Sequence, residues 1–366
     1  MKVRLVSSEY FSWGIYGGYG AFTRKLGAEL VKKGVEVEVV VQKISSEQKP
    51  VGKFEIINDV KVIALPRGKL AKFRSKLYKT DADIIHSQSE RLDTYYSFSR
   101  NPNVKKVITF QDPWTPQDYR DNAPYLPHKS YAKRLWNSYV EYLYSKAVKM
   151  ADATLTQAKF KIPAIQQMYK VTPAWQPNMV DVPDESEIRK SSTPIVVFSN
   201  RLDPIKRPEI FCNLAKSFPD VEFYCLGKTN FGFDKSQWQN VKNLHFTGFI
   251  SQEEKYKLLS KSWVSVNCSI YECLPVAFLE ACAYKCAILS EVNPDDFANN
   301  FGYCAEENPY WYVEGERRFY YGLDTLLTNN KWQVQGEKGY KFVKEYCNTP
   351  IVINQHIKMY EGLLKK

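Results

Sequence analysis

Short apolar runs alternate along the chain with longer segments that carry one apolar face. In the first half the runs predicted as strands are "KVRLVSS", "VEVEVVVQ", "ADIIHSQ", "VKKVITF" and "ADATLTQ". In the second half they are "PIVVFSN", "VEFYCLG", "NLHFTGF", "SWVSVNC" and "CAILSE". A helix is predicted over "GAFTRKLGAELVKKG", between the first two runs. Strands and helices that alternate in this way predict α/β domains with doubly wound parallel sheets.

The length of 366 residues is typical of two such domains. The polar, proline-bearing stretch at residues 181–194 predicts the joint, which gives domains 1–185 and 186–350. No apolar run approaches the roughly 20 residues that span a bilayer, and "MKVRLVSSEY" is typical of a first strand rather than a signal peptide. We therefore expect a cytoplasmic protein with reduced cysteines.

The net charge of +11 is confined to the first half of the chain. Residues 1–190 hold 31 Lys and Arg against 20 Asp and Glu, whereas residues 191–366 hold 20 of each kind. Within the first half, "RGKLAKFRSKLYK" at residues 67–79 carries six cations and no acid, with Leu70, Phe73 and Leu77 at helical spacing. This segment is either an ordinary surface helix that packs those three residues inward or a helix that faces anionic lipid.

Two glutamates lie eight residues apart in "SIYECLPVAFLEACAYK", residues 269–285. Pro275 between them favours a helix start, so Glu272 is predicted on a loop and Glu280 inside the helix. The free amides of that helix N-terminus would lie between the two carboxylates and favour a phosphate. A ligand with hydroxyls at both ends and phosphates in the middle fits this arrangement, and a nucleotide-sugar has that form.

Two further loops follow predicted strands, where ligands of doubly wound sheets bind. The loop "WGIYGGYG" contains Gly14, Gly17, Gly18 and Gly20, which either let the backbone approach a ligand or make the loop flexible. The loop "SNRLDPIKRPE" places Arg201 and Lys206 five residues apart, either as a clamp for a diphosphate or as solvated surface cations.

Together these loops resemble the retaining glycosyltransferases of family 4, which have the GT-B fold of two Rossmann-like domains facing across a cleft. The segments that carry the resemblance are "QPNMVDVPD", "NRLDPIKRPE", the Glu-x7-Glu signature in "ECLPVAFLEA", and "INQHIKMYEGLL". The last of these is similar to a closing helix that crosses back to the first domain, which implies a third segment at residues 351–366.

The resemblance implies a role for each matching residue. Glu272 would bind hydroxyls of the transferred sugar, Glu280 would bind the ribose, and Arg201 and Lys206 would neutralise the diphosphate. The implied donor-binding set is Gly17, Gly18, Leu274, Pro275, Val276, Ala277 and Glu280, and the implied acceptor or sugar side is Gln111, Asp112 and His86. The donor would be a nucleotide-diphosphate sugar of the GDP-mannose or UDP-glucose type. No metal or cofactor is expected, because two cations and a helix N-terminus would stabilise the leaving group.

Several positions depart from the family pattern. Cys273, Met179 and Asn200 replace glycines, and Gln111 replaces a histidine that many members carry near the transferred sugar. A glutamine still donates and accepts hydrogen bonds, so contact is retained while proton transfer is lost. His86, at the end of a predicted strand, is either a core residue or part of the cleft lining. The spacings of the cysteines between Cys268 and Cys286 do not match common metal or iron–sulfur patterns.

The sequence thus predicts a hexose transferase that acts on a glycan or lipid-linked acceptor at the membrane surface. A nucleotide-sugar epimerase of the same fold is the alternative enzyme. A basic nucleic-acid-binding protein is the alternative of another class, but it leaves the paired glutamates and the phosphate loop unexplained.

Overall fold

A computed structural model describes residues 1–13, 17–46, 48–89, 92–121, 123, 131–227, 233–306 and 315–365. The chain divides into two compact units. Unit 1 comprises residues 1–120, 127–178 and 350–366, and unit 2 comprises residues 121–126 and 179–349. The boundary falls after Asn178 rather than after residue 185, so residues 181–194 lie within unit 2. Residues 350–366 at the C-terminus belong to unit 1.

Unit 1 is built on an eight-stranded sheet whose strand order is β3-β4-β2-β1-β5-β6-β7-β8. The strands are β1 (Lys2–Ser7), β2 (Glu36–Gln42), β3 (Phe54–Ile57), β4 (Val60–Leu65), β5 (Ile84–Ser87), β6 (Lys105–Phe110), β7 (Ala153–Thr156) and β8 (Ala174–Trp175). Neighbouring strands are parallel except for β3 and β4. The first six helices are α1 (Gly18–Lys32), α2 (Lys69–Arg74), α3 (Leu92–Ser99), α4 (Pro116–Asp121), α5 (Tyr131–Lys149) and α6 (Ile162–Tyr169).

Unit 2 has a six-stranded, fully parallel sheet of order β11-β10-β9-β12-β13-β14. Its strands are β9 (Ile195–Ser199), β10 (Glu222–Leu226), β11 (Leu244–Gly248), β12 (Val264–Asn267), β13 (Ala287–Ser290) and β14 (Gly302–Cys304). Its helices are α7 (Pro208–Ser217), α8 (Gln252–Lys261), α9 (Val276–Ala283), α10 (Phe297–Phe301), α11 (Arg317–Leu327) and α12 (Lys331–Phe342). The final helix, α13 (Thr349–Leu364), belongs to unit 1 apart from its first residue.

Strand order reverses between β9 and β12 in unit 2, because the chain proceeds to β10 and β11 on one side and to β13 and β14 on the other. Such a switch point opens a crevice at the carboxyl ends of the two central strands. The loops after β9 and β12 are the ones that hold Arg201, Lys206 and Glu272. The fold therefore brings together the two loops that the sequence singled out in this half of the chain.

All ten predicted strands are present, whereas β8, β14 and the hairpin of β3 and β4 were not predicted. Its turn consists of Asn58 and Asp59, both with positive φ (52° and 61°), as a two-residue hairpin turn requires. Neither turn residue is a glycine, so the usual sequence signal for this turn is weak.

The structure contradicts one of the two alternatives for the basic segment at residues 67–79, the surface helix that packs its apolar residues inward. Only Lys69–Arg74 forms an α-helix, and a 3-10 turn follows at Lys76–Tyr78. Lys72 points inward, where its Nζ lies 2.7 Å from Oδ2 of the buried Asp93. Leu70 and Phe73, which that alternative packs inward, are exposed, whereas Leu77 is partly buried. The buried ion pair with Asp93 thus orients the helix against its apolar pattern.

All eight cysteines are buried. Cys212, Cys225 and Cys268 belong to the apolar core of unit 2. Among the described residues, no helix combines the length and the apolarity needed to cross a bilayer.

Candidate active site

The loop after β9 holds the two predicted cations. The side chain of Asp203 accepts a hydrogen bond from the Lys206 amide at 3.2 Å and caps the 3-10 turn Pro204–Lys206. Arg201 Nη2 lies 3.3 Å from Oδ2 of Asp203, and the Arg201 side chain is 56% exposed. Arg201 is therefore loosely held and accessible to an anion, whereas Lys206 is fixed by the turn.

Glu272 is held through one of its two carboxylate oxygens. Oε1 accepts hydrogen bonds from Lys206 Nζ at 2.6 Å, Ser269 Oγ at 2.7 Å and Asn267 Nδ2 at 3.2 Å. Within the described part of the chain, Oε2 has no hydrogen-bond donor. The structure thus brings Lys206 and Glu272 together and leaves one oxygen of Glu272 for a ligand hydroxyl.

The helix α9 begins at Val276, and the loop segment at residues 272–275 leads directly into it. Pro275 occupies the N-cap with extended backbone angles, and none of the described side chains caps this end. The amides of Val276 and Ala277 at this end are therefore available to a ligand, while the Phe278 amide donates to the Pro275 carbonyl. Free amides at a helix start are a site for phosphate.

Glu280 lies in the second turn of α9 and is paired with α8. Its Oε1 accepts from Lys255 Nζ at 2.6 Å and lies 3.4 Å from the Tyr256 hydroxyl. Burial and the negative charge of Glu280 raise the pKa of Tyr256, so its hydroxyl remains a donor. Lys255 and Tyr256 were not predicted from the sequence, because the only motif of their helix is the capping box of Ser251 and Glu254, which marks a helix start and not a ligand.

Arg207 joins the ends of three strands of unit 2. Its Nε donates to the Cys268 carbonyl at 2.6 Å, and its Nη2 forms an ion pair with Glu291, which follows β13. The Ile270 amide also donates to the Ile205 carbonyl at 3.1 Å. These contacts hold the loop of Lys206 against the loop of Glu272.

Gly227 supports the same loop from β10. A Cβ on Gly227 would lie 2.2 Å from the Asn200 carbonyl oxygen, and the φ of Gly227 is +132°. Only glycine fits both constraints. Asn200, which replaces a glycine of the family pattern, therefore packs against the backbone of Gly227, which has no side chain.

The glycine loop of unit 1 is described only from Gly17 onward, so Gly14 lies outside the described residues. Gly17 is the N-cap of α1, and a Cβ there would lie 2.2 Å from Oε2 of Glu9. A Cβ on Gly18 would meet nothing within 4 Å. At Gly20 it would lie 2.7 Å from the Phe11 amide nitrogen, so this glycine is required by the close approach of the backbone.

Gln111 belongs to a chain of buried amides at the carboxyl ends of β5, β6 and β7. The side-chain Nε2 of Gln111 donates to Gln88 Oε1, and the backbone carbonyl of Gln111 accepts from Gln157 Nε2. Asn178 Nδ2 in turn donates to Gln157 Oε1. Nearby, Asp112 is half-buried and accepts from Trp114 Nε1 at 2.9 Å. The sequence identified Gln111 and Asp112 but not the amides that fix Gln111.

His86 is enclosed by protein groups, which supports the core alternative rather than the acceptor side. Gln88 Nε2 lies 3.0 Å from His86 Nε2, and an amide nitrogen only donates, so Nε2 accepts. Nδ1 then carries the proton and donates to the Tyr360 hydroxyl at 2.6 Å. Burial, together with the neighbouring His356, holds the pKa of His86 well below its usual value.

Solved structures similar to this chain are GT-B glycosyltransferases. Sucrose-phosphate synthase from Thermosynechococcus elongatus matches with a TM-score of 0.74 and 15% identity over 100% of this chain and 99% of that one. HepE from Anabaena, in complex with UDP and glucose, matches with 0.69 and 13% over 99% and 100%. WaaG, a glycosyltransferase involved in lipopolysaccharide biosynthesis, matches with 0.68 and 12% over 98% and 100%. The likeness shows that the fold is GT-B.

Two family models match the chain itself. The model described as Glycosyltransferase Family 4 matches residues 16–182, and that described as Glycosyl transferases group 1 matches residues 183–304. No curated protein sequence matches significantly. The chain belongs to the glycosyltransferases of the family 4 type.

Proposed function

We propose that this protein is a retaining hexosyltransferase, which moves a sugar from a nucleotide-diphosphate sugar to a glycan or lipid-linked acceptor at a membrane surface without a metal ion. The observation that carries the proposal is the arrangement at the switch point of unit 2. There Lys206, Glu272 and the uncapped start of α9 lie on adjacent loops, and Glu280 lies one turn further along the same helix. Retention of configuration is what membership of the family 4 type implies.

The donor binds along α9. Its diphosphate accepts hydrogen bonds from the amides of Val276 and Ala277, with Arg201 and Lys206 as counter-charges. Among the described residues no donor contacts Oε2 of Glu272 or Oε2 of Glu280. The first of these oxygens accepts from a hydroxyl of the transferred sugar, and the second accepts from the ribose. HepE was solved with UDP and with UDP-glucose. Another similar structure, the pneumococcal O-GlcNAc transferase GtfA, was solved with UDP and GlcNAc. UDP-sugars are therefore the first donors to test.

Lys206 has three N–H donors and uses one of them on Glu272. It can therefore contact the diphosphate without releasing the carboxylate, and it would link the phosphate to the group that holds the sugar. Positive charge that is fixed before the reaction stabilises the leaving nucleoside diphosphate in the transition state. This supports transfer without a divalent cation.

The experiment is a thermal-shift screen of UDP-, GDP- and ADP-sugars, followed by calorimetry of any donor that stabilises the protein. Glu280→Ala should weaken binding of that donor at least tenfold, since a hydrogen bond to a charged group contributes roughly 1.5–3 kcal/mol. Transfer should persist in excess EDTA, and the product anomer should match the donor by NMR. An unchanged dissociation constant for Glu280→Ala would remove Glu280 from the site, and magnesium-reversible loss of activity would contradict the assignment of the phosphate contacts. Epimerisation of the donor without transfer would favour the alternative enzyme.

A further inference from the structure

Unit 1 presents an exposed apolar surface on α2 and α5. Leu70 and Phe73 of α2 are 59% and 62% exposed, and Leu135, Tyr139 and Tyr142 of α5 are 56%, 49% and 55% exposed. We call these five residues the aromatic surface. A spacing of three and four residues places the three members from α5 in one row of that helix, opposite its buried residues Tyr144 and Ala147.

Contacts join the two helices into one continuous surface. Lys69 Nζ lies 3.6 Å from the ring centroid of Trp136, which links the start of α2 to α5. The rings of Phe73 and Tyr96 meet edge to face with centroids 6.5 Å apart. The helix α3, which carries Tyr96, packs against both α2 and α5.

The charge around the aromatic surface is positive. Lys69 and Arg74 flank it on α2, and Lys146 continues the row of Leu135, Tyr139 and Tyr142. Of the nearby acids, Asp93 is buried in its pair with Lys72. Glu141 lies off the row and accepts from the Tyr169 hydroxyl at 2.6 Å. The exposed row on α5 therefore combines aromatic side chains with a cation and no carboxylate.

We propose that the aromatic surface docks onto an anionic bilayer, and this inference rests on the proposed function because it supplies the place where a lipid-linked acceptor is met. Tyrosine and tryptophan bury an apolar ring and keep a polar tip in water, as the headgroup region of a bilayer allows. Lysine and arginine beside them reach anionic headgroups while their stems cover apolar surface. A second copy of this chain fits less well, because equivalent surfaces would bring like charges together.

The test is co-sedimentation with vesicles of phosphatidylcholine alone or of phosphatidylcholine with phosphatidylglycerol. Wild-type protein should bind the anionic vesicles, with part of the binding surviving raised salt. Leu70→Ser/Phe73→Ser/Tyr139→Ser should remove the salt-resistant part, and Lys69→Glu/Arg74→Glu/Lys146→Glu should lower the partition coefficient at low salt at least tenfold. Lys72 is left unchanged because its buried pair with Asp93 supports the fold.

The matched control is Lys33→Glu/Lys53→Glu/Lys61→Glu, which makes the same charge change at exposed positions elsewhere in unit 1. It should bind as wild type does. If the control and the α2/α5 charge variant lose vesicle binding equally, net charge alone accounts for the loss and the proposed surface is overturned. A wild-type dimer that the serine variant converts to monomer would assign the surface to self-association instead. Absence of vesicle binding, with sugar transfer intact on a soluble acceptor, would reject the docking surface and leave the proposed function standing.

Discussion

Lys255 Nζ lies 2.6 Å from Oε1 of Glu280, so a lysine of α8 fixes the carboxylate that α9 presents. The Tyr256 hydroxyl approaches the same oxygen at 3.4 Å. Because both donors use Oε1, the carboxylate is oriented before any ligand arrives, and within the described residues Oε2 is left for a hydroxyl. Lys206 and Glu272 repeat this arrangement at the other end of the proposed donor site.

We predict that Lys255→Met weakens donor binding about tenfold. The substitution leaves Glu280 in place but removes the cation that orients it, so the loss reflects positioning rather than a lost ligand contact. Lys257→Met is the matched control, because Lys257 lies on the same helix but is 70% exposed and pairs with Glu253. Calorimetry that gives one dissociation constant for wild type and both variants would show that Lys255 does not orient the site.

We predict that Lys206→Met lowers the rate of sugar transfer on the order of a hundredfold. The ammonium group is the fixed positive charge closest to Glu272, and its loss also removes one of the three donors to Oε1. Lys242→Met, at an exposed position in unit 2, should leave the rate unchanged. The rate is measured at saturating donor, so that weaker binding does not account for the fall. A rate within threefold of wild type would exclude Lys206 from charge stabilisation.

The sequence predicted Arg201, Lys206, Glu272 and Glu280 as site residues because strand-end loops and a proline-started helix are local signals. It did not identify the groups that hold them. Lys255 lies in an ordinary amphipathic helix, and Gly227 touches Asn200 only because β9 and β10 are neighbours in the sheet. Such contacts depend on which strands are adjacent in the sheet, and strand order cannot be predicted from a single sequence.

We predict that Gly227→Ala impairs donor binding through the loop of Arg201. The new methyl group would overlap the Asn200 carbonyl, and its backbone would be held at a φ that alanine rarely adopts. The loop must move, so donor affinity should fall severalfold and the melting temperature should drop. Gly248→Ala is the control, since its φ is also positive (+67°) but a Cβ there meets nothing within 4 Å. If both variants lose stability equally while binding donor normally, backbone strain alone accounts for the effect and the loop contact does not matter.

The fold was predictable where apolar runs were long and buried, as in β1 and β9. The direction in which α2 faces was not, because three apolar residues at helical spacing fit an inward row as well as a row that faces lipid. Lys72 lies inward instead, where Asp93 accepts from its ammonium group and from the Tyr78 hydroxyl. A buried ion pair of this kind joins residues 21 positions apart and leaves no periodic signal.

We predict that two buried histidines of unit 1 make the protein less stable in acid. The rings of His86 and His356 stack with centroids 5.9 Å apart, and both residues are buried. Burial lowers the pKa of His356 to about 4. The hydrogen bond to the Val352 carbonyl favours the protonated ring and opposes this shift, but its effect on the pKa is smaller. The Nε2 of His356 is buried without a hydrogen-bond partner among the described residues. Both histidines are therefore neutral in the folded protein at pH 7.

In the unfolded chain these histidines take up a proton near pH 6.5, so the unfolded state binds more protons between that pH and the folded pKa values. Stability is then fully present above about pH 6.5 and falls as the pH is lowered toward 4. For His356 alone the loss between pH 7 and pH 5 is about 2 kcal/mol. His356→Leu should remove this part of the acid sensitivity in urea denaturation, whereas His245→Leu, a histidine with a 40% exposed side chain, should leave the sensitivity attributed to His356 in place. If His356→Leu and wild type lose the same stability between pH 7 and pH 5, His356 is protonated in the folded state or buried less deeply than its position in α13 indicates.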